Sequence, residues 1–320
     1  MAITSSSNPA FVEATQYSTF ILENLHDGLL PGAFYRNVTD FPNGTTLNIK
    51  TIGSATIQEI TEDEDIDFNP IESGNIQLQI TDYIGDAFYV TDIMRQDGAQ
   101  VEQLLAMRAS EGTRAIQETF ESRFFSTLNA SQTSGAANNV NGFAHRFVGT
   151  GTDDTMREQD LISMRLAFDK ANVPMGGRIA IVDPVVAATF SNRSLLVNNL
   201  DASSPTTQML VKDGFDKEHK FVTELHGWQI WTSNRLPAVA SETISGGGSV
   251  TGGVANIFMC VADDQCKPGM VAWRQTPATE TDRDISKKRD EFVTTTRWGD
   301  GVQRQDTLGV VLTSATATTA

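Results

Sequence analysis

The densest chemical feature of the sequence is an acidic run. Glu59, Glu62, Asp63, Glu64, Asp65 and Asp67 fall within one short stretch. Carboxylates this close could hold a divalent cation. A calcium loop, however, needs alternating oxygen ligands, a fixed glycine and a closing glutamate, and none of that spacing is present. The run reads instead as a solvated turn, or as a tip that docks on a basic surface of another chain. Cys260 and Cys266 have no histidine or second cysteine pair beside them. Zinc sites favour Cys-x(2–4)-Cys units, usually two of them, so these read as buried free thiols. His26, His145, His219 and His226 are scattered, and His-Glu-x-x-His and Gly-x-Ser-x-Gly are both absent. The glycine-rich stretches at 149–151 and 246–253 lack the Gly-Lys-Ser/Thr of a phosphate loop. Trp228 and Trp231 could stack on a sugar, but core positions are the simpler reading. The sequence therefore predicts no catalytic residue, no cofactor and no metal.

Composition narrows the classes further. The chain has 320 residues, 39% apolar and 20% charged. That length exceeds the ~250–300 residues of a single core, which predicts two or more lobes. There are 24 basic against 40 acidic residues, a net charge of -16. Such a chain is a poor candidate for gripping nucleic acid through its phosphates. Its one basic run, Lys287-Lys288-Arg289, is diluted by Asp284, Asp290 and Glu291. No apolar run approaches the ~20 residues of a membrane helix. The N-terminus, Met1-Ala-Ile-Thr-Ser-Ser-Ser, has no secretory pattern, and two cysteines make no disulfide framework. Assembly in a reducing cytoplasm is expected.

The elements that must position these residues can be read in chain order. Residues 1–40 form an arm, with Phe11, Tyr17, Phe20, Ile21 and Leu25 roughly on one face of a helix over 15–25. Residues 41–93 form a long β-hairpin. Alternating strands at 45–50 and 75–81, a weaker run at 55–60 and a strand at 87–93 flank the acidic tip. Residues 94–152 hold a helix over 98–129, carried by Val101, Leu104, Leu105, Ile116, Phe120, Phe124 and Leu128, then a loop over 130–152. Residues 153–265 form an α/β lobe. A capping box at Thr155 and Glu158 opens a helix, 178–182 is a buried strand, and Asp183-Pro184 opens a second helix. A strand at 227–232, a glycine loop at 245–253 and a strand at 256–261 follow. Residues 266–320 return through strands at 270–275, 291–297 and 308–312, the last two joined around Gly299-Asp300-Gly301.

This order resembles the major capsid proteins of tailed bacteriophages. Phe41-Pro-Asn-Gly44 through Ile49, with the acidic turn before Ile76–Ile80, looks like that family's extended loop. Phe88–Ile93 looks like the strand entering its spine helix. Arg178–Pro184 and Gly227–Pro237 look like strands of its axial domain, and Phe292–Gly299 like the closing strands of its peripheral domain. The resemblance implies an α+β fold: a tailed-phage major capsid fold with N-terminal arm, extended β-hairpin loop, peripheral domain with a long spine helix, and α/β axial domain. It implies a structural subunit whose hexamers and pentamers tile an icosahedral shell in the phage head. The shell encloses double-stranded DNA without sequence-specific binding and involves no membrane. The partners implied are the chain itself, a portal protein, a cement protein and, since the chain reaches the arm-like region at once, a separate scaffolding protein. Lys50, the lysine nearest the loop, sits toward the hairpin base, so noncovalent contacts are expected rather than a crosslink.

Expected inter-subunit contacts are Glu62, Asp63, Glu64, Asp65, Asp67 and Phe68 on the tip, and Phe11, Tyr17 and Phe20 on the arm. Arg108, Arg114 and Arg123 on the long helix are candidates to receive the tip. Two other readings remain: a shell enclosing cargo enzymes, and an acidic carbohydrate-binding or hydrolytic protein using Trp228, Trp231 and carboxylates. Converting Glu62, Asp63, Glu64 and Asp65 to lysine is expected to leave the subunit folded and to impair assembly. Particle counts by electron microscopy check this, and a wild-type yield excludes electrostatic docking of the tip.

Overall fold

The computed structural model of the chain describes residues 32–39, 44–53, 57–60, 65, 70, 73–98, 101–191 and 221–317. The predicted arm helix over 15–25 lies outside them. A single 3-10 turn, Gly32–Phe34, leads into strand β1 (Arg36–Asn37). Strand β2 (Thr46–Ile52) then pairs antiparallel with β3 (Ser73–Gln79), Thr46 opposite Gln79 and Ile52 opposite Ser73. Alternation drives the pairing, since it turns Leu47 and Ile49 to one face and Asn48 and Lys50 to the other. The weaker run at 55–60 is not a strand over its described part, 57–60. Ile57 and Ile60 are three apart, which puts them on opposite faces of any extended chain.

Strand β4 (Asp82–Thr91) is longer than the 87–93 expected and leaves the hairpin for another sheet. Its end turns at Thr91, whose hydroxyl accepts from the Met94 amide at 3.3 Å and caps α1 (Asp92–Asp97). The long helix α2 (Val101–Ser131) follows, 31 residues or about 46 Å at ~1.5 Å per residue. Where composition predicts only a loop, three short strands form: β5 (Asn139–Val140), β6 (Phe143–Ala144) and β7 (Arg146–Val148).

Helix α3 spans Glu158–Lys170, and its cap differs from the expected one. The Thr155 hydroxyl donates to the Thr152 carbonyl in the preceding turn, so it is engaged there. The N-cap is Arg157, whose amide donates to the Asp160 carboxylate at 2.8 Å. Strand β8 (Arg178–Val182) and helix α4 (Pro184–Ser191) come next, and the Asp183 carboxylate accepts from the Val185 amide as a proline-started helix requires. After β9 (Phe221–Leu225) and β10 (Trp228–Thr232) the expected glycine loop is a hairpin instead. It joins β11 (Ala238–Ile244) to β12 (Gly248–Cys260). Gly246 and Gly248 sit at φ 76° and 92°, so these glycines make the tight turn rather than a flexible span.

Strands β13 (Gly269–Asp284), β14 (Arg289–Val302) and β15 (Leu308–Ser314) complete the chain's described elements. The Gly299–Gly301 step lies inside β14, and β14 and β15 belong to different sheets. Glycine there reflects crowding: a Cβ on Gly299 would meet the Gln79 carbonyl of the passing chain. One sheet has the order β1-β13-β14-β4. The other has the order β7-β15-β12-β8-β10-β9, with β11 added beside β12.

Strand β8 shows how the larger sheet is buried on both faces. Ile179 and Ile181 point into a cluster with Phe124, Phe125 and Leu128 of α2, joined by Val271 and Trp298 from the smaller sheet. Ala180 and Val182 point the other way, against Leu161 and Phe168 of α3, Val186 of α4 and Trp228. The C-terminal half of α2 is thus the wall both sheets share. Near this core, Arg146 makes a two-pronged ion pair with Glu242 at 2.8 and 2.7 Å, both side chains nearly buried. The guanidinium holds the Glu242 carboxyl below its ordinary pKa. Arg146→Ala leaves that carboxylate unpaired, and removing one partner of a buried pair costs about 3–5 kcal/mol. Urea unfolding of Arg146→Ala is expected to show that loss at neutral pH. The loss shrinks as pH falls through the depressed Glu242 pKa and the carboxyl becomes neutral.

Candidate assembly interface

The hairpin is anchored at its base and bare beyond it. Leu78 is buried with Met270 and Ala272 of β13, and Leu47, Ile49 and Ile76 pack partly against them. The Ile80 amide donates to the Thr45 carbonyl at 2.9 Å and closes the base. Further out the cover ends. Ile52 is 83% exposed, Ile57 95% and Ile60 72%. Covering an isoleucine fully is worth about 1.5–3 kcal/mol, and within one chain this surface stays wet.

Of the acidic tip, Asp65 is described and exposed. Glu62, Asp63, Glu64, Asp67 and Phe68, and the arm's Phe11, Tyr17 and Phe20, lie outside the described residues. Lys50 is exposed on β2 opposite Asn75. The helix arginines are already engaged inside the chain. Arg108 pairs with Asp86 at 2.7 Å, Arg123 with Asp82, and Arg114 with Glu118 at 3.2 Å. The Arg108 and Arg123 pairs clamp α2 across β4, and the crossing point is Gly112, where a Cβ would strike the Asp86 carboxylate. Each of these three arginines thus already has a carboxylate partner within the chain. Arg235, in the loop after β10, adds a second clamp by donating to Glu118 and Glu121 of α2 at 2.7 and 2.8 Å.

The far end of the smaller sheet carries a charge network that sequence reasoning passed over as diluted. Arg283 donates to Asp92 and to Asp290, each at 2.8 Å in the shorter contact, and Arg95 donates to Asp290 at 2.6 Å. The i, i+7 spacing of Arg283 and Asp290 across a turn is the signal that could have revealed it. Asp284 accepts from the Ser286 hydroxyl and amide and from the Lys287 amide, which hold its pKa at about 2. Exposed pairs contribute little singly; together they fix α1 to the β13–β14 ribbon.

Other predicted chemistry resolves into packing. The Trp228 indole is fully buried, and its N–H donates to the Leu161 carbonyl at 3.2 Å. Cys260 is buried and burial pushes its thiol pKa up, while Cys266 is half-buried and unbridged. Among the described residues no group of three His, Cys, Asp or Glu side chains is placed to hold a metal ion. Among the same residues, no helix is long and apolar enough to cross a membrane.

The chain belongs to the phage capsid protein family, whose sequence model matches residues 75–313. Its fold is that of tailed-phage major capsid proteins, and its place is the virion head. A solved structure from Mycobacterium phage Che8 superposes with a TM-score of 0.69 at 16% identity, over 96% of this chain and 98% of that one. The capsid structure of cyanophage P-SCSP1u gives 0.70 at 14% identity, over 95% and 93%. The mature capsid of bacteriophage PhiM1 gives 0.68 at 12%, over 96% and 93%. No curated protein sequence matches the chain.

One titratable group sits at the junction of α2, β4 and β14. Asp300 has its pKa raised, first by burial; a Thr127 hydrogen bond opposes this and the neighbouring Asp82 carboxylate adds to it. Its folded pKa thus exceeds the unfolded value of about 3.9. The folded state holds the extra proton in that window, so stability falls as pH rises through it. Asp300→Asn is expected to raise the urea midpoint at pH 7 and to flatten this part of the stability–pH curve. An unchanged midpoint in both respects contradicts the assignment.

Proposed function

We propose that this chain is the repeating subunit of an icosahedral phage head, assembling as hexamers and pentamers around double-stranded DNA and performing no catalysis. The observation that carries the reading is the hairpin. Its base is packed on its own sheet, while Ile52, Ile57 and Ile60 beyond the base are uncovered. A surface of this kind needs a neighbour, and a closed array of identical subunits supplies one at every position. A standard contact buries ~1,600 Å², and many modest contacts repeated around a closed shell give a large collective stability. In this reading the smaller sheet with α1 and α2 is the peripheral domain. The larger sheet with α3 and α4 is the axial domain, and β15 belongs to it. A separate scaffolding protein, a portal and a cement protein are the further partners.

The test is electron microscopy and gel filtration of the purified full-length chain, with and without co-expressed scaffolding protein. Shells or hexamers are expected. A monodisperse, stable monomer under every condition would falsify the reading. Particles that carry bound cargo enzymes and never a genome would replace it with a cargo-enclosing shell.

A further inference from the structure

An open groove of about 840 Å³ runs between the hairpin and the 302–306 turn. Three cations line it: Arg36, Lys50 and Arg304. In a chain of net charge -16, three cations sharing one groove is a local reversal of sign. Lys50 and Arg304 are exposed and form no ion pair with any described residue, and Arg36 donates to the Gln303 side chain at 2.9 Å. Among the described residues that line the groove, Asp306 is the one carboxylate. Asp264, which lies near Arg36, is taken up by Lys267 at 2.6 Å. Ile49 and Ile76, opposite each other on one face of the hairpin, and Ile52, on the Lys50 face, also line the groove.

We propose that this groove receives the acidic segment 59–67 of a second copy of the chain. The inference rests on the capsid reading and names the surface that takes the hairpin tip. Two complementarities carry it. The segment sets Glu59, Glu62, Asp63, Glu64, Asp65 and Asp67 against the cations, and it interleaves them with Ile60 and Ile66, followed by Phe68, which suit the isoleucines. Duplex nucleic acid offers its phosphates to the cations and keeps its bases stacked inside, away from the isoleucines, so an acidic and apolar peptide fits the groove better than duplex DNA. The donor is another copy, since among the described residues none of the chain's own segment fills the groove. Ile52, at the groove, is 83% exposed, and Ile60 of the same chain's segment is bare, as is Ile57 just before it. Steered contact between opposite charges then fixes the register of neighbouring subunits.

The experiment is a charge exchange in the full-length chain. Lys50→Glu with Arg304→Glu is the groove variant; both side chains are exposed, so folding is retained, and circular dichroism checks it. The tip variant carries lysine at positions 62–65, and a third chain combines both sets. Each single set is expected to lower particle yield by about tenfold or more, and the combination to restore it to within about threefold. Wild-type yield from the groove variant overturns the proposal, as does a combined chain no better than either set alone. Particles formed at full yield that fail to retain DNA also overturn it, in favour of a nucleic-acid groove. A second readout mixes chains carrying Asp65→Cys with chains carrying Arg304→Cys. Disulfide-linked dimers between the two are expected, and their absence overturns the pairing. A wild-type chain that forms no assembly at all overturns the capsid reading itself and takes this inference with it.

Discussion

Phe124, Phe125 and Leu128, on one face of α2, bind two differently built sheets into a single core. Without that strip the four-stranded sheet would present Val271 and Trp298 to water, and the seven-stranded sheet would do the same with Ile179 and Ile181. Apolar area on this scale dominates folding. The polar clamps at Asp82, Asp86, Glu118 and Glu121 add direction: they fix where along β4 and the post-β10 loop the helix lies.

The hairpin shows the opposite economy. Its first rungs share the smaller sheet's apolar patch, so its direction of departure is set by the subunit. The outer rungs have no such support. A two-stranded ribbon is marginal alone in water, and its bare isoleucines make it a surface that gains free energy only by meeting another molecule. Rigid base and unsatisfied end are the two properties a lattice contact requires.

Much of this was legible because periodicity reports burial. The alternation at 45–50 and 75–81 placed the hairpin, and the spacing of Ile116, Phe120, Phe124 and Leu128 placed the spine helix. What the sequence hid was sheet membership. Strand β4 carries the same alternation as β3, yet it pairs with β14 more than 200 residues later, and period alone says nothing about the partner. The glycines at 246 and 248 read as flexibility because composition does not distinguish a loose span from a turn that demands positive φ. Leu104 fits the helical pattern but stands exposed, while Val101 and Gly112 in the same half of α2 are buried. For the candidate site, the acidic tip was visible as a charge run. The cations of the groove were not, because residues 36, 50 and 304 meet only through the fold.

The position of β15 governs when a subunit becomes complete. It lies between β7 and β12, inside the seven-stranded sheet rather than at its rim. Until residue 314 has emerged from the ribosome, that sheet has a gap and β12 offers an open edge. Long-range pairings of this kind form slowly, and unfinished edges attract other chains. Strand β15 thus acts as a timing element: a nascent copy has an unfinished seven-stranded sheet until synthesis has passed residue 314.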